Sequence, residues 1–185
     1  LRGIIETYPA FQPPHVEIQI EGPLPRVLGN EAALTQCFSN LLGNAIKFVA
    51  PGMRPQVRVW AETKGSPKSE VRSPKEPRNP KSEPRLEPPG AATGQPPITH
   101  HASRITPPPS VRLWFADNGV GIPKEAQERI FSMFQRLDKS YDGTGVGLTV
   151  LRKAVEKMGG KVGLESEPGC GSRFWVELKA ADQPG

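Results

Sequence analysis

The hydrophobic positions of the chain recur with two different periods, which predict a mixture of strands and helices. Apolar and polar residues alternate over residues 16–20, 56–61 and 111–115, as is typical of half-buried strands. Two further strands are predicted over residues 161–165 and 172–178. Because strands and helices do not alternate regularly, the pattern favours an α/β (α+β) two-layer sandwich, with a mixed sheet packed on helices, over a doubly wound sheet.

Three other stretches carry the helical period. The longest predicted helix follows Asn30, a suitable N-cap, and reaches Phe48. A short helix is predicted from about residue 123, where proline suits the first turn, to residue 134. A third is predicted over residues 147–158, and the glycine pair that follows should end it.

Residues 63–110 interrupt this pattern and hold 12 of the 22 prolines. They contain a degenerate repeat of seven or so residues, as in Pro80-Lys-Ser-Glu-Pro-Arg85, but proline in every unit excludes a coiled coil. With few large apolar residues, the segment cannot offset its ordering entropy. We therefore expect a disordered low-complexity insertion, either inert or partner-docking, in the turn between two strands of a single domain formed by residues 1–62 and 111–185.

The net charge of +5 resides mainly in that segment, which has eight Lys/Arg against four Glu. The rest of the chain therefore has an excess of only +1, which argues against a nucleic-acid partner. No apolar run approaches the ~20 residues needed to span a bilayer, and no signal-peptide pattern is present. We expect a cytoplasmic chain without direct membrane contact. Because it begins at Leu1 rather than Met, we also expect it to be a piece of a longer protein, whose membrane anchoring stays open.

Three polar side chains share one face of the long helix. Asn40, Asn44 and Lys47 are spaced i, i+4 and i+7. Carboxamides are costly to bury unpaired, so this face needs partners. A phosphate chain with bound magnesium would supply them, with amide oxygens for the cation and the ammonium for phosphate oxygens. The alternative is a solvated polar stripe.

Two glycine-containing motifs follow. Asp117-Asn-Gly-Val-Gly121 comes directly after a predicted strand, where a carboxylate can accept a hydrogen bond from an exocyclic amine such as that of adenine and the glycines permit close approach of a flat ring. The alternative is an ordinary Asp-Asn-Gly turn. Gly143-Thr-Gly-Val-Gly-Leu148 opens a helix, so its backbone N–H groups can bind phosphate. It is neither a Walker loop nor a complete GxGxxG.

In series, these motifs resemble those of the catalytic domain of sensor histidine kinases, which have the Bergerat ATP-binding fold. The helix motif resembles the N box, and the two glycine motifs resemble the first and second glycine boxes. Ile130-Phe-Ser-Met-Phe134 resembles the F box, and Gly169-Cys-Gly171-Ser-Arg-Phe174 is similar to a third glycine motif. The resemblance covers nearly everything outside the insertion.

The resemblance implies ATP and Mg²⁺ as ligands. Asn44 would hold the magnesium ion, with Asn40 as a possible second ligand. The implied catalytic residues are Asn40, Asn44, Lys47 and Arg136. The implied nucleotide-binding residues are Asn44, Lys47, Asp117, Gly119, Gly121, Phe134, Gly143, Thr144, Gly145, Val146, Gly147, Leu148 and Ser172. Arg136 and Lys139 lie near or in a lid over residues 138–142, and for both residues stabilisation of the transferring phosphoryl group and plain solvation stay open. For Phe131 and Phe134, lid anchoring and core packing stay open.

Asn40 also bears on the type of reaction. Gyrase-like members of the superfamily place a water-activating Glu one turn before the magnesium Asn, whereas an amide cannot accept a proton at neutral pH. The resemblance therefore implies phosphoryl transfer to a histidine rather than hydrolysis. None of His15, His100 and His101 lies in a helical acceptor pattern, so the acceptor is expected on a dimer-forming helical hairpin of the same parent protein, with a response-regulator receiver domain downstream. A catalytically degenerate scaffold and an anti-sigma-type serine kinase are the alternatives.

Overall fold

The structure is a computed structural model that describes residues 1–65, 109–132 and 145–181. Within these ranges the helices are α1 (Arg2–Thr7), α2 (Glu31–Lys47), α3 (Lys124–Gln127) and α4 (Gly147–Lys157). Short 3-10 turns span Pro9–Phe11 and Arg129–Phe131. The strands are β1 (Glu17–Glu21), β2 (Gln56–Lys64), β3 (Ser110–Asp117), β4 (Lys161–Ser166) and β5 (Ser172–Lys179).

These strands form one mixed sheet in the order β1-β2-β3-β5-β4. β1 runs parallel to β2, whereas the other neighbouring pairs are antiparallel. The sheet packs on helices α2 and α4, which confirms the predicted two-layer sandwich. The central strand β3 ends at Asp117, beside the start of β5, so the predicted adenine-binding carboxylate lies at one end of the sheet.

The core lies between α2, α4 and one face of the sheet. Helix α2 begins after Asn30, whose side chain accepts a hydrogen bond from the N–H of Ala33 at 2.9 Å, as its N-cap role predicts. The helix buries Cys37, Phe38, Leu41, Leu42 and Ala45. Fully burying one such large side chain stabilises the fold by roughly 1.5–3 kcal/mol, so this apolar face fixes the rotation of α2 and directs its polar face away from the core. The sheet contributes Val57, Val59, Phe115, Phe174, Val176 and Leu178.

The other face of the sheet carries a row of tryptophans. Trp60, Trp114 and Trp175 are direct cross-strand neighbours on β2, β3 and β5. The rings of Trp60 and Trp114 are stacked, with centroids 5.7 Å apart and planes at 10°. The guanidinium of Arg112 lies 3.9 Å from the Trp175 ring centroid and pairs with Glu177 at 2.7 Å. This row ties together three strands that are distant in the sequence.

Most predicted elements are confirmed, and their ends differ by a few residues. A continuous helix was predicted over residues 123–134, and within the described part, up to residue 132, this is wrong. Helix α3 stops at Gln127 and a 3-10 turn follows. That turn places Ile130 in the core, at 6% exposure, so side-chain burial takes precedence over helical continuity. The short helix α1 was not predicted from the sequence.

The predicted insertion lies between β2 and β3, which are adjacent antiparallel strands. Three residues at the ends of the predicted insertion are instead paired strand residues, namely Thr63 and Lys64 of β2 and Ser110 of β3. The strands thus extend further than the sequence predicted, because their last residues gain cross-strand hydrogen bonds that the composition of the segment does not reveal. Most of the segment, residues 66–108, lies outside the described residues, together with His100 and His101. His15 is exposed in the turn before β1.

Candidate functional site

The polar face of α2 meets the start of α4 through Asn40. Its Nδ2 donates to the carbonyl oxygen of Gly147 at 3.2 Å, and its Oδ1 accepts from Gln36 Nε2 at 3.0 Å. The Asn40 side chain lies so close that a Cβ on Gly147 would be 3.6 Å from it. Asn40 therefore attaches the first turn of α4, the second glycine motif, to the helix that carries the other two polar residues.

Asn44 and Lys47 occupy the last turns of α2. The Asn44 side chain is half-buried and makes no hydrogen bond to another described residue, so its amide oxygen is available to a ligand. The Lys47 ammonium lies 4.9 Å from the ring centroid of Phe48 and is held at the helix C-terminus, where a positive charge is favoured. A hard oxygen donor and a cation thus lie within one turn of each other.

Asp117 ends β3 with one of its oxygens already engaged. Oδ1 accepts from the N–H of Gly119 at 2.8 Å and from the N–H of Ser172 at 3.0 Å. Burial raises the pKa of the Asp117 carboxyl above its usual range, although both backbone donors favour the ionised form. Oδ2 accepts no hydrogen bond from the described residues. An additional donor from a ligand would therefore offset part of the cost of burying this charge.

The loop after Asp117 is packed against the end of α2. The N–H of Val120 donates to the carbonyl oxygen of Phe48 at 2.8 Å, and the N–H of Phe48 donates to that of Asn44 at 3.0 Å. The adenine-binding candidate and the magnesium-binding candidate therefore lie at the same end of the molecule. This is the arrangement that one nucleotide contacting both residues requires.

The glycines of this loop are required by the protein's own backbone. A Cβ on Gly119 would be 2.5 Å from the carbonyl oxygen of Phe48. A Cβ on Gly121, whose φ is +74°, would be 2.0 Å from that of Glu167. The sequence explained these glycines by close approach of a ligand, and the structure adds that α2 and the β4–β5 loop leave no room for a side chain.

The second glycine motif is described from residue 145 onward. Gly145 has a φ of +68°, and α4 begins at Gly147 after Val146, whose side chain makes no capping hydrogen bond. The first N–H groups of α4 therefore have no side-chain cap among the described residues. Several predicted site residues lie outside the described ranges, namely Phe134, Arg136, Lys139, the lid over residues 138–142, Gly143 and Thr144. Phe131 is partly buried and packs edge-on against Phe174, at 6.5 Å between centroids.

Sequence reasoning missed three polar residues that support the site. Asn118 accepts from the N–H of Gln56 and donates to the carbonyl oxygen of Arg54, at 2.9 and 3.0 Å. Ser166 and Gln127 hydrogen-bond with the backbone on either side of the Asp117 loop. In the sequence, Ser166 and Gln127 are polar residues of an ordinary strand and helix, which does not distinguish them from surface residues. Asn118 is part of the Asp-Asn-Gly motif, but the motif was interpreted through Asp117 and the glycines alone.

A separate groove lies at the other end of α2. It has a volume of about 780 Å³ and is lined by residues that include Tyr8, Leu34, Phe38 and Leu178. None of the predicted site residues lines it. The groove is therefore distinct from the site formed by α2, the Asp117 loop and α4.

Comparison with known proteins identifies the family. Residues 90–182 match the family model of the histidine kinase-, DNA gyrase B- and HSP90-like ATPases. The chain is 33% identical to the sensor histidine kinase AruS of Pseudomonas aeruginosa over 158 residues, and 30% identical to the phytochrome-like protein Cph1 of Synechocystis over 167 residues. The matches cover 83% and 88% of the chain but only 12% and 16% of those relatives.

Solved structures show the same fold. The mycobacterial sensor histidine kinase MprB superposes with a TM-score of 0.62 at 19% identity, over 98% of this chain and 93% of that one. Full-length ShkA, solved with AMPPNP, gives a TM-score of 0.59 at 27% identity, over 98% of this chain and 30% of ShkA.

The chain belongs to the histidine kinase-, DNA gyrase B- and HSP90-like ATPases, as an ATP-binding catalytic domain of the sensor histidine kinase type. The resemblance stated from the motifs is thereby confirmed, as is the Bergerat fold. Every helix within the described ranges is too short or too polar to span a bilayer.

Proposed function

We propose that the domain binds magnesium–ATP at the end of α2 and, within its parent protein, transfers the γ-phosphoryl group to a histidine outside this chain. Asp117 accepts a hydrogen bond from the adenine amine through Oδ2. Lys47 neutralises charge on the phosphates, and the first turn of α4 donates its N–H groups to them. Arg136 stabilises the group in transfer. Such a reaction needs positioning and charge neutralisation more than covalent help from the protein.

The state of Asn40 is the observation that supports transfer over hydrolysis. Its amide is already used, donating to Gly147 and accepting from Gln36, and it cannot take a proton from water. The only carboxylate on α2 is Glu31, 13 residues before Asn44 and thus about 20 Å away along the helix. The helix that faces the phosphates therefore offers no general base to activate water.

The donor set suits magnesium. Mg²⁺ at a nucleotide takes one or two protein oxygens, and phosphate oxygens and waters complete its octahedron. The half-buried Asn44 amide oxygen, with no described partner, fits one of these positions. Asn40 is the less suitable ligand, because its Oδ1 already accepts from Gln36. When bound, the ion would neutralise phosphate charge.

The remaining partners lie outside the chain. The relatives are much longer proteins, which supports an acceptor-histidine hairpin in the same parent, a homodimer formed through that hairpin, and a receiver domain downstream. We propose a cytoplasmic location for this domain. We also propose that residues 65–109 are an insertion between β2 and β3, on the composition of the segment and the pairing of the strands that flank it.

Incubating the chain with γ-labelled ATP and a separately produced acceptor hairpin of the parent tests the proposed function. We expect phosphate on the hairpin that is labile in acid, which is typical of phosphohistidine. The Asn44→Ala variant should bind the nucleotide weakly and lose transfer. Acid-stable phosphate would instead identify a serine kinase, and tight ATP binding without transfer would identify a scaffold.

A further inference from the structure

Three polar side chains form a row across the end of the sheet. Ser166 of β4 pairs directly with Ser172 of β5. The N–H of Ser172 donates to Asp117 Oδ1 at 3.0 Å, where β5 lies beside the end of β3. Every second residue of a strand faces the same side of the sheet. Ser172 and Asp117 therefore face the helices, as do Phe174 and Phe115 two residues away in the core, and Ser166 lies on the same face opposite Ser172. Ser172 is 6% exposed, so its hydroxyl must satisfy its hydrogen bonds locally or with a ligand.

The contacts of Ser166 determine where the Ser172 proton lies. Ser166 Oγ accepts from the N–H of Ile122 at 2.8 Å, lies 2.8 Å from the carbonyl oxygen of Gly171, and lies 2.9 Å from Ser172 Oγ. A carbonyl oxygen only accepts, so the single proton of Ser166 must go to Gly171. Ser172 must then donate its own proton to Ser166, because otherwise two lone pairs would face each other.

With its proton directed at Ser166, Ser172 can only accept from the nucleotide side. The adjacent Asp117 carboxylate is also an acceptor, and its Oδ2 accepts from no described residue. The pair thus presents acceptors alone towards the base. An exocyclic amine, which brings two donor hydrogens, complements this edge, whereas an oxo group meets it with lone pairs.

We infer that Ser166 fixes the Ser172 hydroxyl as an acceptor beside Asp117, so that the site selects a purine with an amino rather than an oxo group at C6. Ser166 is a positioning residue that acts through Ser172. The inference rests on the proposed binding of the adenine edge at Asp117.

The test is to measure the affinities of the complete chain for ADP and IDP by titration calorimetry. The two nucleotides carry an amino group and an oxo group, respectively, at C6. The wild type should prefer ADP. In the Ser166→Ala variant, the Ser172 hydroxyl is free to donate to the oxo group, and the preference should fall about fivefold to tenfold, the effect of one hydrogen bond. Ser166→Thr keeps the hydroxyl and should keep the preference. Ser110→Ala, at the opposite end of β3, is the matched control and should behave as wild type.

The outcomes separate two failures. If the wild type binds neither nucleotide, the proposed nucleotide site is wrong and the inference falls with it. If the wild type prefers ADP and Asp117→Asn reduces that preference, but Ser166→Ala weakens both nucleotides equally or changes neither, only the role of Ser166 is refuted. Loss of the preference in Ser166→Thr as well would also refute it, since a retained hydroxyl should suffice.

Discussion

Gly169 and Gly171 have nearly the same backbone conformation but very different surroundings. Their φ values are +79° and +80°. A Cβ on Gly169 would have no heavy atom within 4 Å, whereas a Cβ on Gly171 would be 2.0 Å from the carbonyl oxygen of Asp117. Alanine at the two positions therefore causes the same conformational strain, and only one variant disturbs the adenine-binding candidate.

The expected magnitudes differ accordingly. Alanine in a left-handed conformation costs about 1–2 kcal/mol, which is all that Gly169→Ala should lose in the free energy of unfolding. In Gly171→Ala the Asp117 carbonyl must also move by at least 1 Å to reach the 3.0 Å below which real Cβ contacts essentially never fall. Overpacking of this kind typically costs a further 1–3 kcal/mol, so the total loss should be about 2–5 kcal/mol.

The displacement should also appear in nucleotide binding. The N–H of Ser172 donates to Asp117 Oδ1 at 3.0 Å, so moving this strand end should displace the carboxylate from its proposed contact with the adenine amine. A hydrogen bond to a charged group is worth about 1.5–3 kcal/mol, so ADP affinity should fall about tenfold to a hundredfold in Gly171→Ala. In Gly169→Ala it should stay near that of wild type.

Urea unfolding and ADP calorimetry on both variants measure the two quantities. The comparison does not depend on the absolute strain, because that strain is common to both. If the two variants match in stability and in affinity, the close packing of Gly171 against Asp117 does not matter, and the reasoning is refuted.

Three further predictions concern the site and the insertion. Asp117→Asn should weaken ADP binding and stabilise the fold, because burial of the Asp117 charge raises the pKa of the carboxyl in the folded state. The charge does not destabilise the fold below the pKa of the unfolded state, and its full cost is present once the pH exceeds the pKa of the folded state. Chemical unfolding should therefore show the advantage of the variant growing from acidic to neutral pH, and wild-type ADP affinity should fall on acidification while that of the variant does not. Asn40→Ala should lose about 1 kcal/mol and speed hydrogen exchange in the first turn of α4, whereas Gln36→Ala, which removes only an exposed hydrogen bond, should do neither. Replacing residues 66–108 by an Asn-Gly turn should raise the free energy of unfolding by about 2 kcal/mol, because closing a shorter loop costs less entropy, and should leave ADP binding intact. A fall in stability or in ADP affinity would show that the segment belongs to the domain.

The parts of the fold with strong local signals could be predicted from the sequence. Helix α2 has an N-cap side chain at Asn30 and a long apolar face, and both its ends were predicted correctly. The segment after Pro123 has no comparable signal, and the burial of Ile130, a tertiary effect, decides its shape. The ends of β2 and β3 were also missed, because pairing between Lys64 and Ser110 depends on the partner strand rather than on composition.

Some features of the candidate site could likewise be predicted from the sequence, and others could not. The resemblance to sensor histidine kinases assigned Asn44 and Asp117 to one nucleotide in the prediction. The hydrogen bond between the N–H of Val120 and the carbonyl oxygen of Phe48 explains how the two segments come close. The hydrogen bond from Asn40 to Gly147 joins residues 107 positions apart, and no local pattern indicates it. Ser166 was missed because its function depends on three neighbours brought close by strand pairing and a turn.

The tryptophan row gives the chain a built-in optical reporter. All three tryptophans of the sequence belong to the row, and the stacked pair formed by Trp60 and Trp114 is close enough for excitonic coupling between the indoles. Since these rings meet only when β2, β3 and β5 are paired, the aromatic circular dichroism follows assembly of the sheet rather than formation of single helices. The row lies on the face away from α2, so nucleotide titrations should leave this signal unchanged, and folding and binding can be followed separately in one unlabelled sample.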